Sequence, residues 1–321
     1  MALTWGDVTA KTNKFIIPRM IDSIYKNSPV FTRLRTKNME QFTGGTSIRH
    51  PLAYARLKGG AFTRGGSFDT SYVQTDTALE VLVKAYYVNI TLFGLDAVLN
   101  RGPEAVMSTV ETKMVNAAGR MAELLGTDIF LDGQGTDSSA IQLDGLEAAI
   151  DDGVAFPSYG GITRADIATG ANVGINSFVK TMAGPLALSD FQTAYGATWF
   201  GSEHVDLIVV TQAIWDIFWN KLQPQQRFLE AEKDIVQAGF QAIRYNGASL
   251  TVDQYAPAGK AWFLNTKYIQ FWITTLQKYQ FGFTGWKEAQ FNDDVSGQYL
   301  FAGNLLNVAP RLMAQIKSIT G

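Results

Sequence analysis

The stretch RGPEAVMSTVETKMVNAAGRMAELLGTDIFLDG, residues 101–133, decides how the rest of the chain is read. Apolar residues recur at Val106, Val110, Met114, Ala117, Met121, Leu124, Leu125 and Ile129. Steps of three and four draw one stripe along an α-helix. Pro103 suits a first helical position, Glu104 lies on the favourable side of the helix dipole, and Gly133 falls where a C-terminal glycine belongs. About 29 residues at roughly 1.5 Å each give a rod of about 43 Å. That is over twice the usual globular helix, so something long must lie against it.

Just upstream, Leu79–Asp96 (LEVLVKAYYVNITLFGLD) is rich in β-branched and aromatic residues and predicts one long half-buried strand. Before it, Phe42–Tyr72 is punctuated by Gly44-Gly45, Gly59-Gly60 and Gly65-Gly66. Ile48, His50, Leu52, Tyr54 and Arg56 share an extended stretch, and a returning strand is expected to start at Ser71–Val73. The pattern predicts a long two-stranded finger with a flexible tip. A lone hairpin of this kind buries too little to stand in water. It needs a surface, and Arg49, Arg56, Lys58 and Arg64 predict an acidic one. Earlier still, Val8–Arg35 reads as an arm. Phe15, Ile16, Met20, Ile24 and Tyr25 share a helical face, Asn27-Ser28-Pro29 ends that helix, and Val30, Phe31 and Leu34 form a short apolar hook.

Downstream, the acidic, glycine-rich Asp132–Asp152 does not match a calcium loop and reads as solvated turns. Tyr159–Gly184 is loop-rich. A helix over Leu188–Trp199, a buried strand over Val205–Thr211, a helix over Gln212–Leu222 and β-rich segments at Ile243–Val252 and Ala261–Trp272 predict a compact mixed α/β unit. Lys278–Phe283 and Gly297–Phe301 are further strands, and the tail returns to pack on the body.

Composition limits the chemistry. The chain has 321 residues, 46% of them apolar and 17% charged, enough to bury a large core. It has no cysteine, which excludes disulfides and thiolate metal sites and points to assembly inside a cell. Only His50 and His204 offer imidazole, and each reads as a satisfied or solvated side chain rather than a base. No P-loop, nucleophile elbow or zincin motif occurs. No apolar run is long enough for a membrane span, and MALTWGDVTAKTNK does not read as a secretory leader. Tyr54, Arg56, Phe62 and Arg64 interleave as nucleic-acid contacts can, but the whole chain is not basic. The net charge of −2 is unevenly spread: residues 1–66 hold eleven Lys/Arg against three Asp/Glu, a net of +8, and the remainder carries −10. A positive front end and a negative body can meet within one subunit or between subunits.

This order of arm, glycine-punctuated basic finger, long strand, long helix and α/β unit resembles the major capsid protein of tailed double-stranded DNA bacteriophages, with its Hong Kong 97-type α+β fold. The local wording is similar too: PRMIDSIYKNSPVFTRL (18–34), PSYGGITRAD (157–166) and IRYNGASLTVDQYAPAGKAWFLNTKYI (243–269). The resemblance implies an N-arm over 1–41, an extended loop over 42–78 and a peripheral domain with its strand and spine helix over 79–143. It further implies an axial domain over 144–268, with 269–321 returning to the peripheral domain as the C-terminal segment. It implies a non-enzymatic subunit that needs no cofactor or metal. Such a subunit assembles in the host cytoplasm into hexamers and pentamers of an icosahedral virion shell. Its partners would be itself, a portal, a separate scaffolding or decoration protein, and packaged double-stranded DNA held without sequence preference. Covalent cross-linking through Lys58 is not expected, since no Asn and Glu partner can be placed for it. The alternatives are an encapsulin-type nanocompartment shell, which would enclose an enzyme, and a compact soluble α/β enzyme.

Overall fold

A computed structural model describes residues 28–55, 57–93, 103–133, 141–167, 174–222, 242–288 and 293–320. The arm helix expected at Phe15–Tyr25 and the side chain of Arg56 lie outside these residues. In chain order, α1 (Pro29–Lys37) leads to β1 (Met39–Phe42), β2 (Ser47–Ala53), β3 (Asp76–Leu82), β4 (Lys84–Phe93) and α2 (Pro103–Asp128). Next come α3 (Leu146–Ala149), β5 (Ser158–Tyr159), β6 (Ile162–Thr163), α4 (Arg164–Ile167), β7 (Phe178–Thr181), α5 (Leu188–Ala197), β8 (Leu207–Val210) and α6 (Gln212–Leu222). The chain finishes with β9 (Ala242–Tyr245), β10 (Ala248–Val252), β11 (Ala261–Leu264), β12 (Ile269–Thr274), β13 (Gln280–Phe283), β14 (Lys287–Glu288), β15 (Asp294–Asn307) and β16 (Ala314–Lys317).

Two six-stranded sheets organise the molecule. In the first, β15 is the trunk. Its 14 residues pair with β4 from Asp294 to Gly303 on one side, and with β14, β13 and β12 in succession on the other; β1 adds in parallel to β12. Along β15 burial alternates, with Val295, Tyr299 and Phe301 inward, until Asn304–Asn307, where every residue is buried. The change from period two to continuous burial marks where the strand passes between layers. The second sheet runs β7-β16-β11-β8-β10-β9 with mixed pairing. The run LIVV of β8 sorts by parity: Leu207 and Val209 join the core shared with α2 and the first sheet, whereas Ile208 and Val210 join a core under α5 and α6. Trp262 and Leu264 of β11 face the first core and Ala261 and Phe263 the second. An uninterrupted apolar run is what a strand buried on both faces requires.

The long helix is 26 residues, and its described stripe, Val110, Met114, Ala117, Met121, Leu125, then Ile129 and Phe130 beyond its end, is fully or almost fully buried. No described helix is long and apolar enough to cross a membrane. At Gly126 a Cβ would strike the ring of Tyr255, so glycine here lets the loop after β10 lie directly on the helix.

Several expectations are corrected. The apolar hook is the nine-residue helix α1, and Pro29 opens it at its first turn. The expected single strand over Leu79–Asp96 divides at Val83. Its first part pairs with β2 and its second with β15. The returning strand of the finger starts at Asp76, not Ser71. The acidic stretch is not merely solvated turns. Asp151 is buried, and its carboxylate accepts the amides of Gly153, Ala155 and Phe156 at 2.9, 3.2 and 3.0 Å. Leu143, Leu146 and Ile150 around it are core. The tail returns to the body as a strand, with β16 inserted between β7 and β11 in the second sheet.

Candidate functional site

The candidate site is the finger together with the seam that roots it. β2 and β3 pair antiparallel from Ser47↔Leu82 to Ala53↔Asp76. Ile48, Leu79 and Val81 turn inward and are buried in the main core. The turn Pro157–Arg164 grips the same strand: the Glu80 amide donates to the Gly160 carbonyl at 2.8 Å, and Gly160 adopts a positive φ of 57° beside Leu79. The motif PSYGGITRAD is therefore a clamp. Its Tyr159 hydroxyl accepts the Asn307 amide at 2.8 Å. Its buried Arg164 spends all five N–H groups on main-chain carbonyls, at Phe156, Asp151, Ile175, Ala148 and Ala149.

Beneath the finger lies a polar seam. The Asn304 amide group donates to the Leu82 carbonyl at 2.7 Å and to the Asp144 carboxylate at 2.6 Å, and its oxygen accepts the Asp144 amide at 2.9 Å. Lys84 approaches Asp144 at 3.9 Å. The Tyr86 hydroxyl donates to Asp128 at the end of α2 at 2.6 Å and accepts the Leu143 amide at 2.8 Å. Burial raises both carboxyls, Asp128 and Asp144, above the usual aspartate range. These groups fix the angle at which the finger leaves the body.

Beyond its root the finger is bare. Every described residue from 57 to 72 is exposed. The four residues expected to reach an acidic neighbour are not all available. Arg49 bridges to Glu80 on the paired strand at 3.1 Å, and Lys58 bridges to Asp69 at 2.7 Å and also reaches Ser71. The partners respond: the Lys58 ammonium, then Ser71, holds Asp69 below the usual carboxylate range, and the Ser47 hydroxyl, then Arg49, does so for Glu80. Arg64 is exposed at the tip. Sequence reasoning missed the apolar side of the same surface. Leu57, Phe62, Phe68 and Tyr72 are exposed at 79%, 65%, 68% and 90%, and Phe62 meets Phe68 edge-on with centroids 4.9 Å apart. Four large apolar residues flanking the glycine pairs Gly59-Gly60 and Gly65-Gly66 were the signal that could have found it.

The remaining candidates do not assemble into a reactive centre. His50 rests its Nδ1 2.8 Å from the Pro51 carbonyl oxygen, and exposed His204 stacks on Trp199 with centroids 5.7 Å apart. No group of three or more His, Cys, Asp or Glu residues that could hold a metal occurs among the described residues.

No family model matches the chain, and no curated protein does either. Solved structures do. The cyanophage A-1(L) capsid asymmetric unit superposes with a TM-score of 0.68 at 15% identity, covering 92% of this chain and 94% of that one. The capsid of the native GTA particle gives 0.62 at 12% identity, with 90% of each chain covered. The holo-SrpI encapsulin complex from Synechococcus elongatus gives 0.55 at 11% identity, covering 99% and 96%. The fold of this chain is the α+β fold shared by these phage-capsid and encapsulin subunits, over nearly its full length.

Proposed function

We propose that this chain is a structural shell subunit, a major capsid protein that closes into an icosahedral head of hexamers and pentamers around double-stranded DNA. The observation that carries the reading is the finger: a rigidly rooted hairpin whose tip exposes four large apolar residues that its own subunit leaves uncovered. Monomeric proteins rarely leave such a patch in water, and a finger on one copy that needs a surface on the next makes a head-to-tail contact, which closes into rings. Residues 1–41 then serve as the N-arm, the finger as the extended loop, the first sheet and α2 as the peripheral part, and the second sheet with α5 and α6 as the axial part. In the shell exposed Arg64 supplies positive charge at the tip of the finger, while Arg49 and Lys58 stiffen it. Contacts of this size, repeated by symmetry, hold the shell; no catalytic step is involved. A portal and a separate scaffolding or decoration protein would complete the assembly in the host cytoplasm.

Electron microscopy of the expressed protein tests the reading. Closed polyhedral particles, or five- and six-membered rings, are expected. A monomer at high concentration across ionic strengths, with or without a scaffold, refutes it. The match to an encapsulin supports a second reading, a nanocompartment shell. The contents decide between them: packaged DNA for one, a folded cargo enzyme for the other.

A further inference from the structure

The root of the arm meets the body at one buried pair. Ser28 precedes α1 and is fully buried, and its hydroxyl donates to the carboxylate of Asp253, itself 1% exposed. Asp253 follows β10 and accepts the Tyr255 amide at 2.9 Å on its other oxygen. Tyr255 in turn lays its ring on α2 at Gly126. One carboxylate thus touches the start of α1 and, through Tyr255 two residues on, the long helix. The charged and titratable groups of the surrounding elements are engaged elsewhere. Arg33 of α1 reaches Asp206 at 3.3 Å, Asp206 also takes the Thr266 amide at 2.7 Å, Asp128 of α2 binds Tyr86, and Lys260 of the loop after β10 pairs with Glu147.

We propose that Ser28 and Asp253 form a proton-operated latch on α1, closed when the carboxyl is protonated and loosened when it is ionised. The geometry places a buried carboxyl beside one hydroxyl and one amide that serve it. A neutral acid can both donate and accept there, whereas an anion keeps its charge out of water with little to offset it. Burial pushes the carboxyl up to about 6, against the weaker opposing pull of Ser28 and the Tyr255 amide. The transition falls inside the range a cell or a changing medium can span. The latch is a property of the single subunit. Its consequence for assembly, a loosened α1 just ahead of β1 and the finger strand β2, rests on the shell reading above.

Hydrogen exchange of the peptide spanning α1, corrected for intrinsic rates, tests it in the full chain. In wild type, protection should be several-fold greater at pH 5.0 than at pH 7.5, with a midpoint near 6. Asp253→Asn, a neutral isostere, should give the same protection at both pH values. Ser28→Ala should weaken protection at both while the pH dependence persists. If Asp253→Asn does not fold, the wild-type titration still decides: protection that stays flat from pH 4.5 to 7.5 overturns the latch, as does a pH dependence that survives in Asp253→Asn. Because α1 is read directly in unassembled protein, a failed shell reading would leave this result untouched.

Discussion

Replacing both Phe62 and Phe68 with serine should disable assembly while leaving the subunit intact. The two rings are 65% and 68% exposed and touch each other. Covering them against another copy transfers about two-thirds of each side chain from water. At about 1.5–3 kcal/mol for a fully buried phenylalanine, the pair contributes roughly 2–4 kcal/mol to each finger contact. A loss of that size weakens one contact by about 30- to 700-fold. Since every subunit in a ring uses the same contact, the threshold concentration for assembly should rise by a similar factor. Light scattering against protein concentration measures the threshold, and a thermal melt of the dilute variant checks the fold. The melt should match wild type, because neither ring belongs to either core. Arg49→Ala and Lys58→Gln serve as comparators. Each breaks an exposed ion pair inside the finger, an interaction of small net value, and should move the threshold far less. A serine double variant that assembles at the wild-type concentration refutes the apolar docking argument, and so does a comparator that is equally damaging.

Other consequences concern the body. Arg164→Lys leaves three N–H donors for five buried carbonyls; two stranded acceptors cost about 1–3 kcal/mol each, so chemical denaturation should show a loss of roughly 2–6 kcal/mol. Gly126→Val forces Tyr255 off α2 and should lower stability by about 1–3 kcal/mol by overpacking, read as a lower denaturation midpoint. For Asp253 the sign is set by its raised value: between about 4 and 6 the folded state holds a proton the unfolded chain has released, so stability falls as pH rises through that window. The penalty is complete above about 6 and amounts to roughly 3 kcal/mol, so Asp253→Asn should gain up to that much at pH 7.5 and almost nothing at pH 4.

The long helix, the two-face strands of the second sheet and the finger were legible because each rests on a period that local sequence displays. The stripe from Val110 to Ile129 has helical spacing, and LIVV and AWFL are the unbroken runs that only a doubly covered strand can use. What stayed hidden depends on partners far along the chain. Nothing near Val83 announces that the strand changes sheets there; the cause is Asn304, over two hundred residues away, which takes the Leu82 carbonyl. Asp151 reads as one acid among several in a glycine-rich loop, and only three folded-back amides and Lys317 at 3.6 Å make it a buried anchor. Proline ends helices and is equally suited to begin one, so the sequence alone does not mark that Pro29 opens α1.

The charge split between the front of the chain and the rest is real in sequence, yet the finger satisfies part of it locally. Arg49 meets Glu80 across the β2–β3 ladder and Lys58 meets Asp69 across the tip, so two of the four cations meant for a neighbour already have partners. Arg49 is settled this way because it sits directly opposite Glu80 on the paired strand, and Lys58 because Asp69 and Ser71 lie within its reach in the loop. Apolar rings at the end of a two-stranded hairpin have no such recourse, since the hairpin has no second layer to fold them under. On the shell reading, the part of the finger that its own subunit leaves unsatisfied is the part that another copy covers. On the same reading, charge orients the approach through Arg64, and burial of Leu57, Phe62, Phe68 and Tyr72 holds the contact once made.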